Sequence, residues 1–465
     1  MALTRQRAHS NSERPAEAPA ELDPLIRMPA RTIPESGLGL SDAYELISSE
    51  LLLDGQARLN LATFVTTWMP STAAQLMVET ADKNMIDKDE YPQTAEIESR
   101  CVDMIARLWN CPDQGQATGC STTGSSEAAM LAGLALKWRW RERMRGAGKP
   151  ADHPNLVMGT NVQVCWEKFC RYWDVEPRLV PMEGDRFHLD AEEAVAQCDE
   201  STIGVVTILG STFDGSYEPV AEIAAALDGL EREGGLDVPL HVDAASGGFV
   251  APFLQPEVKW DFRIDRVQSI NASGHKYGLV YPGVGWAIWR SAEALPRDLI
   301  FDVNYLGGHM PTFALNFSRP GSQVIAQYLM FTSLGISGYR RAMQGAQTVA
   351  KHLSHGIAEI GPYSLISDGS ELPVFAFALD KREHHYTVFD VSDRLRQRGW
   401  LVPAYTFPPN RQDLSVLRIV VRVGMTLDMA ELLLDHLREQ TQILESLEAP
   451  LPGPQAGRKR AFSHN

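Results

Sequence analysis

Two short apolar runs separated by an amphipathic stretch constrain this chain more than any other feature. "IGVVTILGST" (203–212) and "PLHVDAA" (239–245) are continuously apolar until they end in small or polar residues. That is the pattern of parallel strands buried on both faces. Between them "VAEIAAALDGLEREGG" (220–235) has helical spacing and stops at glycine. Strand, helix and strand at this length make a βαβ unit, so the fold class is α/β. "RVQSINAS" (266–273) and "VGWAIWR" (284–290) read as further strands. Helices are predicted over 95–110 and 125–144; the second opens on serines, suited to an N-cap, and closes on arginines. A long helix begins after proline in "SRPGSQVIAQYLMFTSLG" (318–335).

From about 345 the runs "LPVFAFAL", "TVFDVSDRLRQRG", "VLRIVVRVG" and "MAELLLDHLREQTQILESL" predict a second, smaller α/β region. The expected organisation is a disordered tail over 1–35, a helical segment over 36–60, a large domain over 61–345, a small C-terminal domain over 346–448 and a flexible tail over 449–465.

Composition excludes several classes. The 465 residues carry a net charge of −16, which argues against a nucleic-acid partner because that would need a basic face. Hydrophobic residues at 44% and charged residues at 22% suit a globular protein. No apolar run approaches the ~18 residues of a membrane span, so no stable membrane insertion is expected. "MALTRQRAHSNSERPAEAPAE" lacks the apolar centre of a secretory signal. The six cysteines include no C-x-x-C pair and no zinc-ligand spacing, so they read as reduced thiols with no metal site. The expected localisation is cytoplasmic.

Three predicted strands end in chemical groups: one at Thr212, one at Asp243 followed by Ala244 and Ala245, and one leading through "NASGHK" to Lys276. In open α/β sheets ligands bind beyond the carboxyl ends of the strands. A buried carboxylate needs a partner; for Asp243 that partner is a helix end, an arginine or a cofactor's protonated ring nitrogen. Two alanines beside it leave room for a flat ring. "GCSTTGSSEAAML" (119–131) places Ser125, Ser126 and Glu127 at a helix start, which reads either as a plain cap or as a phosphate site. It matches neither the Walker phosphate loop nor G-x-S-x-G. A phosphate-binding helix start, an Asp, a small-residue shelf and a lysine are together the parts required for pyridoxal 5′-phosphate. The lysine would form a Schiff base with its aldehyde, and the acid would keep its ring nitrogen protonated. His275 would touch the phosphate or the ring edge, or be a buried histidine bonded to backbone.

The segments "NLATFVTTWM", "DKDEYPQTAEIESRCVDMIARLWN", "TGSSEAAMLAGLALKWRWRERM", "VQVCWEKFCRYWDVE", "HVDAASGGFVAPF", "NASGHKYGLVYPGVGWAIWR" and "NFSRPGSQVIAQY" resemble the glutamate decarboxylases of bacteria and plants, over about 60 to 345. These belong to the fold-type I, aspartate-aminotransferase-like pyridoxal phosphate enzymes. The resemblance implies a large, mostly parallel seven-stranded sheet domain and a smaller C-terminal α/β domain. It implies decarboxylation of L-glutamate to 4-aminobutyrate with uptake of a proton, and hence a link to acid resistance. Lys276 would carry the cofactor and Asp243 would pair with its ring nitrogen. Ser125, Ser126, Ser273 and His275 would hold the phosphate, joined by Ser318 of a neighbouring subunit. Thr212 and Ala245 would contact the ring, and Gln163 would lie over its face. Thr63 and Phe64 would meet the distal carboxylate of the substrate with Asn84 and Asp87 of the partner chain, and Arg422 would hold the α-carboxylate. Tyr305 and Leu306 would form a flap, and His464 in the tail would gate the site.

A homo-oligomer follows, a dimer at least or a hexamer. The N-terminus departs from the acidic helical start of acid-induced bacterial relatives, and the C-terminus lacks a calmodulin-binding helix, so no calmodulin partner is expected. The competing readings are a decarboxylase of aspartate or cysteine sulfinate, and a non-catalytic regulatory protein on the same fold.

Overall fold

The computed structural model describes residues 31–451 except 113, 114, 116, 305–309 and 450. The chain divides into two compact units, residues 1–56 and 57–465. The first contains helix α1 (Leu40–Leu51), and everything below lies in the second. Among the described residues no helix is long and apolar enough to cross a membrane.

Strands β1 (Thr118–Thr122), β2 (Asn155–Gly159), β3 (Glu176–Val180), β4 (Thr202–Ile208), β5 (Leu240–Asp243), β6 (Val267–Ser273) and β7 (Gly285–Trp289) form one sheet in the order β1-β7-β6-β5-β4-β2-β3. Strands β3, β2, β4, β5 and β6 run parallel to one another, while β7 is antiparallel to both β6 and β1. This is the mostly parallel seven-stranded sheet expected. The reversal of β7 was not legible in "VGWAIWR", because a strand buried on both faces is apolar in either direction.

The helices of this region are α2 (Ser71–Glu79), α3 (Pro92–Leu108), α4 (Ser125–Gly146), α5 (Val164–Tyr172), α6 (Ala191–Ala196), α7 (Val220–Gly234) and α8 (Ala251–Leu254), with the long α9 (Ser322–Ala358) after them. Alternate residues of β7 feed opposite layers. Trp286 and Ile288 join Val102 and Ile105 of α3 and Met330 of α9, whereas Ala287 and Trp289 join Leu131 and Leu134 of α4. Each fully buried aliphatic or aromatic side chain of this kind contributes about 1.5–3 kcal/mol, which is why these runs are apolar throughout. Helix α7 ends as read, with Gly235 in the left-handed conformation at φ 68°.

Strands β8 (Phe301–Val303) and β9 (Met310–Thr312) pair antiparallel. Strands β10 (Tyr363–Leu365), β11 (Val374–Leu379), β12 (Ala404–Thr406) and β13 (Ser415–Val420) make a second, wholly antiparallel sheet in the order β10-β11-β13-β12, with helices α10 (Val388–Gln397) and α11 (Leu427–Glu445). The boundary expected at 345/346 falls inside α9. That helix breaks at Gly335 (φ 57°, ψ −175°), well before the expected boundary. Its first half packs with α3 and its second half with the small sheet and α11.

Candidate active site

The carboxyl ends of five strands converge on one cavity of about 290 Å³. The chain leaving β1 turns through Thr123 and Gly124 into α4 and brings Ser125 and Ser126. The ends of β2, β4 and β5 bring Asn161 and Gln163, Gly210 and Thr212, and Asp243, Ala245 and Ser246, respectively. His275 and Lys276 follow β6. Sequence reasoning therefore identified Ser125, Ser126, Gln163, Thr212, Asp243, Ala245, His275 and Lys276 as neighbours, and the structure brings them together.

Lys276 Nζ lies 3.1 Å from Ser246 Oγ and 5.1 Å from the centre of the Phe64 ring. Burial, opposed by Asp243, lowers its ammonium pKa. The flanking glycines have a packing reason. A Cβ on Gly274 would sit 2.4 Å from Gln327 Oε1, and one on Gly278 would sit 2.4 Å from the carbonyl oxygen of Gly274. The turn carrying Lys276 thus closes on itself and on α9. Cys165 also lines the cavity, but burial pushes its thiol up, so it stays protonated and is no rival nucleophile.

Asp243 is 4% exposed and closely bound. Its Oδ2 accepts from Trp166 Nε1 at 2.8 Å, and its Oδ1 accepts from Asn271 Nδ2 at 2.9 Å and from the Ala245 amide at 3.1 Å. None of these donors is cationic. A carboxylate has about four acceptor sites, so three are filled from behind and capacity remains toward the cavity. That is what a protonated ring nitrogen requires.

Ser125 was read as part of a serine cap, and the structure corrects this. The cap residue is Gly124, with no side-chain cap bond. Glu127 reaches back instead to the amide and hydroxyl of Thr123, at 2.7 and 2.9 Å. The Ser125 hydroxyl is left to accept from Ser273 Oγ at 2.6 Å. The first amides of a helix have no intrahelical partner, so this helix start can receive an anion. The Gly283 amide donates to His275 Nδ1 at 3.3 Å, and burial lowers the imidazole pKa to about 4. The ring is therefore neutral, with Nε2–H left as its donor. Lysine, free carboxylate valence and anion-ready helix start together fit pyridoxal phosphate.

The expected residues also have partners of their own, and some lie outside the cavity. Gln163 caps α5, its side-chain oxygen accepting from the Cys165 amide at 2.6 Å while the residue lines the cavity. Thr63 Oγ1 accepts from the Val65 amide at 3.1 Å. Phe64 has Lys276 Nζ 5.1 Å and Arg418 Cζ 5.0 Å from its ring centre. Arg422 does not line the cavity. Its guanidinium donates to the carbonyls of Ala57, Asn60 and Val65 and to the Thr67 hydroxyl. Asn84, Asp87 and Ser318 lie outside the Lys276 cavity. Asn84 Nδ2 donates to Ser318 Oγ at 3.3 Å, and the Asp87 amide donates to the Asn84 carbonyl at 3.2 Å. Tyr305, Leu306 and His464 lie outside the described residues.

Sequence reasoning missed Ser246, Trp166, Asn271 and Arg418. Asn271 carried a signal, one of several polar residues in a largely buried strand, each of which must find a partner. Arg418 was passed over beside Arg422, yet it donates to the Ala62 carbonyl at 2.6 Å and to that of Thr212.

Known proteins share this sequence and fold. Residues 38–380 match the family described as the pyridoxal-dependent decarboxylase conserved domain. The chain is 56% identical over 418 residues to a glutamate decarboxylase of Aliivibrio fischeri, covering 90% of each. It is 49% identical over 429 residues to one of Petunia hybrida, covering 92% of this chain and 84% of that one. The solved structure of Lactobacillus brevis glutamate decarboxylase superposes with a TM-score of 0.88 at 46% identity, covering 91% of this chain and 96% of that one.

Proposed function

The chain belongs to the pyridoxal-dependent decarboxylase family, a pyridoxal-phosphate-dependent lyase converting L-glutamate to 4-aminobutyrate and carbon dioxide, and we propose that the Lys276 cavity is where it does so. The observation that carries the assignment is the meeting of Lys276 Nζ, the unsaturated side of the Asp243 carboxylate and the start of α4 in one cavity. When bound, pyridoxal phosphate supplies an aldehyde that engages the substrate amine and a protonated ring that takes up the electron pair left by the departing carboxylate.

The chain's residues do the rest. Lys276 holds the cofactor, and its depressed pKa favours the neutral, nucleophilic amine. Asp243 keeps the ring nitrogen positive. Ser125, Ser126, Ser273 and His275 hold the phosphate through neutral donors, while Thr212, Ala245 and Gln163 bound the ring. Thr63 and Phe64 face the distal carboxylate, together with Asn84 and Asp87 of a second copy, and Ser318 of that copy reaches the phosphate. Arg422 lies outside this cavity, with Nη1 and Nη2 on the 57–67 segment and Nε without a hydrogen-bond partner; we assign it the α-carboxylate, which it would orient through that free donor. Fixing that group would decide which bond at the α-carbon breaks. A proton replaces carbon dioxide there, so each turnover consumes one proton, in keeping with a role in acid resistance. The enzyme works as a homo-oligomer in the cytoplasm.

A screen of amino acids for carbon dioxide release tests the substrate, with glutamate expected to exceed aspartate and cysteine sulfinate. Lys276→Ala should remove steady-state turnover and the borohydride-sensitive yellow colour without unfolding the protein. Wild-type release from that variant would refute the assignment.

A further inference from the structure

We propose that His241 is a positioning residue for the decarboxylation: acting through Asn271, it fixes the orientation of the Asp243 carboxylate against the cofactor ring. This rests on the reading that Asp243 pairs with the ring nitrogen.

His241 and Asp243 are alternate residues of β5, and Ser269 and Asn271 are alternate residues of β6. The two strands pair with His241 opposite Ser269 and Asp243 opposite Asn271. His241 and Asn271 are fully buried. His241 Nε2 is 2.7 Å from Asn271 Oδ1, and His241 Nδ1 is 2.7 Å from Ser269 Oγ.

Donor logic fixes every proton in this chain of contacts. An ionised carboxylate only accepts, so Asn271 must turn its amide nitrogen to Asp243. Its oxygen then faces His241, so Nε2 carries the hydrogen. In a neutral ring Nδ1 is then an acceptor, and the Ser269 hydroxyl donates to it. Burial lowers the His241 pKa to about 4, which keeps the ring neutral. Trp166 closes the other side: its indole lies 5.1 Å from the His241 ring and its Nε1 holds the second oxygen of Asp243.

An Asn amide has two orientations of nearly equal shape. The wrong one would point the Asn271 carbonyl at the Asp243 carboxylate, repel it and remove one of its three donors. Nothing in Asn271 forbids that flip. The donor on His241 does, because a flipped amide would meet Nε2–H with N–H. Mechanism chemistry assigns His241 no contact with substrate or ring, yet its buried polar edges are fully used in holding this orientation.

The test compares His241→Leu, His241→Gln, Ser269→Ala and Asp243→Asn as holoenzymes. In His241→Leu we expect kcat to fall on the order of 10-fold, the low end of what losing an outer hydrogen-bond partner costs at metal sites. KM should stay within about twofold, because substrate contacts are untouched. Titration of the apoenzyme with pyridoxal phosphate should give a weaker Kd, and the visible band of the bound cofactor should shift. His241→Gln, whose amide nitrogen can reach the Nε2 position, should restore most of each loss. Wild-type kcat, Kd and band position in His241→Leu would overturn the proposal, as would equal losses in the Leu and Gln variants. Should His241→Leu not fold, Ser269→Ala decides: a smaller change in the same direction supports the proposal and an unchanged Kd and spectrum refute it. If Asp243→Asn itself turns over like wild type, the underlying reading of Asp243 fails instead.

Discussion

Gly285→Ala is a one-carbon change at the back of the phosphate-binding turn, and its effect can be worked from distances. Gly285 opens β7 directly beneath the start of α4. A Cβ there would lie 2.3 Å from the Gly124 carbonyl carbon and 2.5 Å from the Ser125 nitrogen, where ordinary contact begins at 3.4 Å. Strand β7 is hydrogen-bonded on both edges and cannot retreat. The start of α4 must therefore move by about 1 Å, at an overpacking cost of about 1–3 kcal/mol. The 2.6 Å bond from Ser273 to Ser125 would stretch beyond hydrogen-bonding range, losing about 1 kcal/mol more. Part of this falls on the apoprotein and part on the cradle. Since each 1.4 kcal/mol is tenfold in affinity, cofactor Kd should weaken on the order of 10-fold. The assay is titration of apoenzyme with pyridoxal phosphate, alongside thermal unfolding. Gly146→Ala, at the far end of the same helix with nothing within 4 Å, is the control and should hold or raise stability. Wild-type cofactor affinity in Gly285→Ala would show that the start of α4 does not hold the phosphate.

Asp243→Asn must set an amide where the carboxylate now accepts three N–H groups, so turnover should fall sharply while some cofactor is retained; unchanged turnover would make Asp243 structural only. Arg422→Lys offers three donors where the guanidinium now serves four acceptors, so the 57–67 segment should loosen and KM should rise. A lower unfolding temperature with unchanged KM would make Arg422 a strut rather than a carboxylate ligand. Glu218 is buried and accepts from Asn161, Leu189 and Ile208, and burial raises its pKa from 4.5 to about 7. The folded state then binds the proton more tightly than the unfolded state, so this contribution is full below 4.5 and is lost as pH rises through about 7. Glu218→Gln should flatten that decline in unfolding temperature, and an equally steep decline would refute the role.

Much of this was legible in the chain because it rests on local rules. Continuous apolar runs ending in polar residues mark β4 and β5, "RVQSINAS" reads as a further strand, and the rule that ligands gather at the carboxyl ends places Asp243 and Lys276 together. Gly235 ended α7 as glycine should. What was not legible depends on how distant segments meet. Both arginines of "LRIVVRVG" read alike. Arg418 lies within β13, with its guanidinium over Phe64, while Arg422 lies past the strand's end at Val420, where it meets the carbonyls of the 57–67 segment. The start of α4 was misread for a similar reason: Ser125 is as good a cap as any by propensity, but Ser273, 148 residues away, takes its hydroxyl.

The His241 network shows the same limit most sharply. Period two alone puts Ser269, Asn271 and Ser273 on one side of β6, and His241 and Asp243 on one side of β5. It does not say which pairs face each other. Strand β5 has four residues, all buried, so no alternation of polarity sets its register, and the pairing with β6 shifts between Leu240 and His241. A slip of one residue would turn every side chain of β5 to the opposite face. Asp243 would then leave the cavity, and His241 would lose both its partners. Chemistry and register are therefore not independent here: the bonds that orient the carboxylate, from Ser269 through His241 and Asn271, are satisfied only in the register that presents Asp243 to the ring. Burying these polar groups unpaired would cost about 1–3 kcal/mol each. The network thus selects the strand pairing on which the reaction depends.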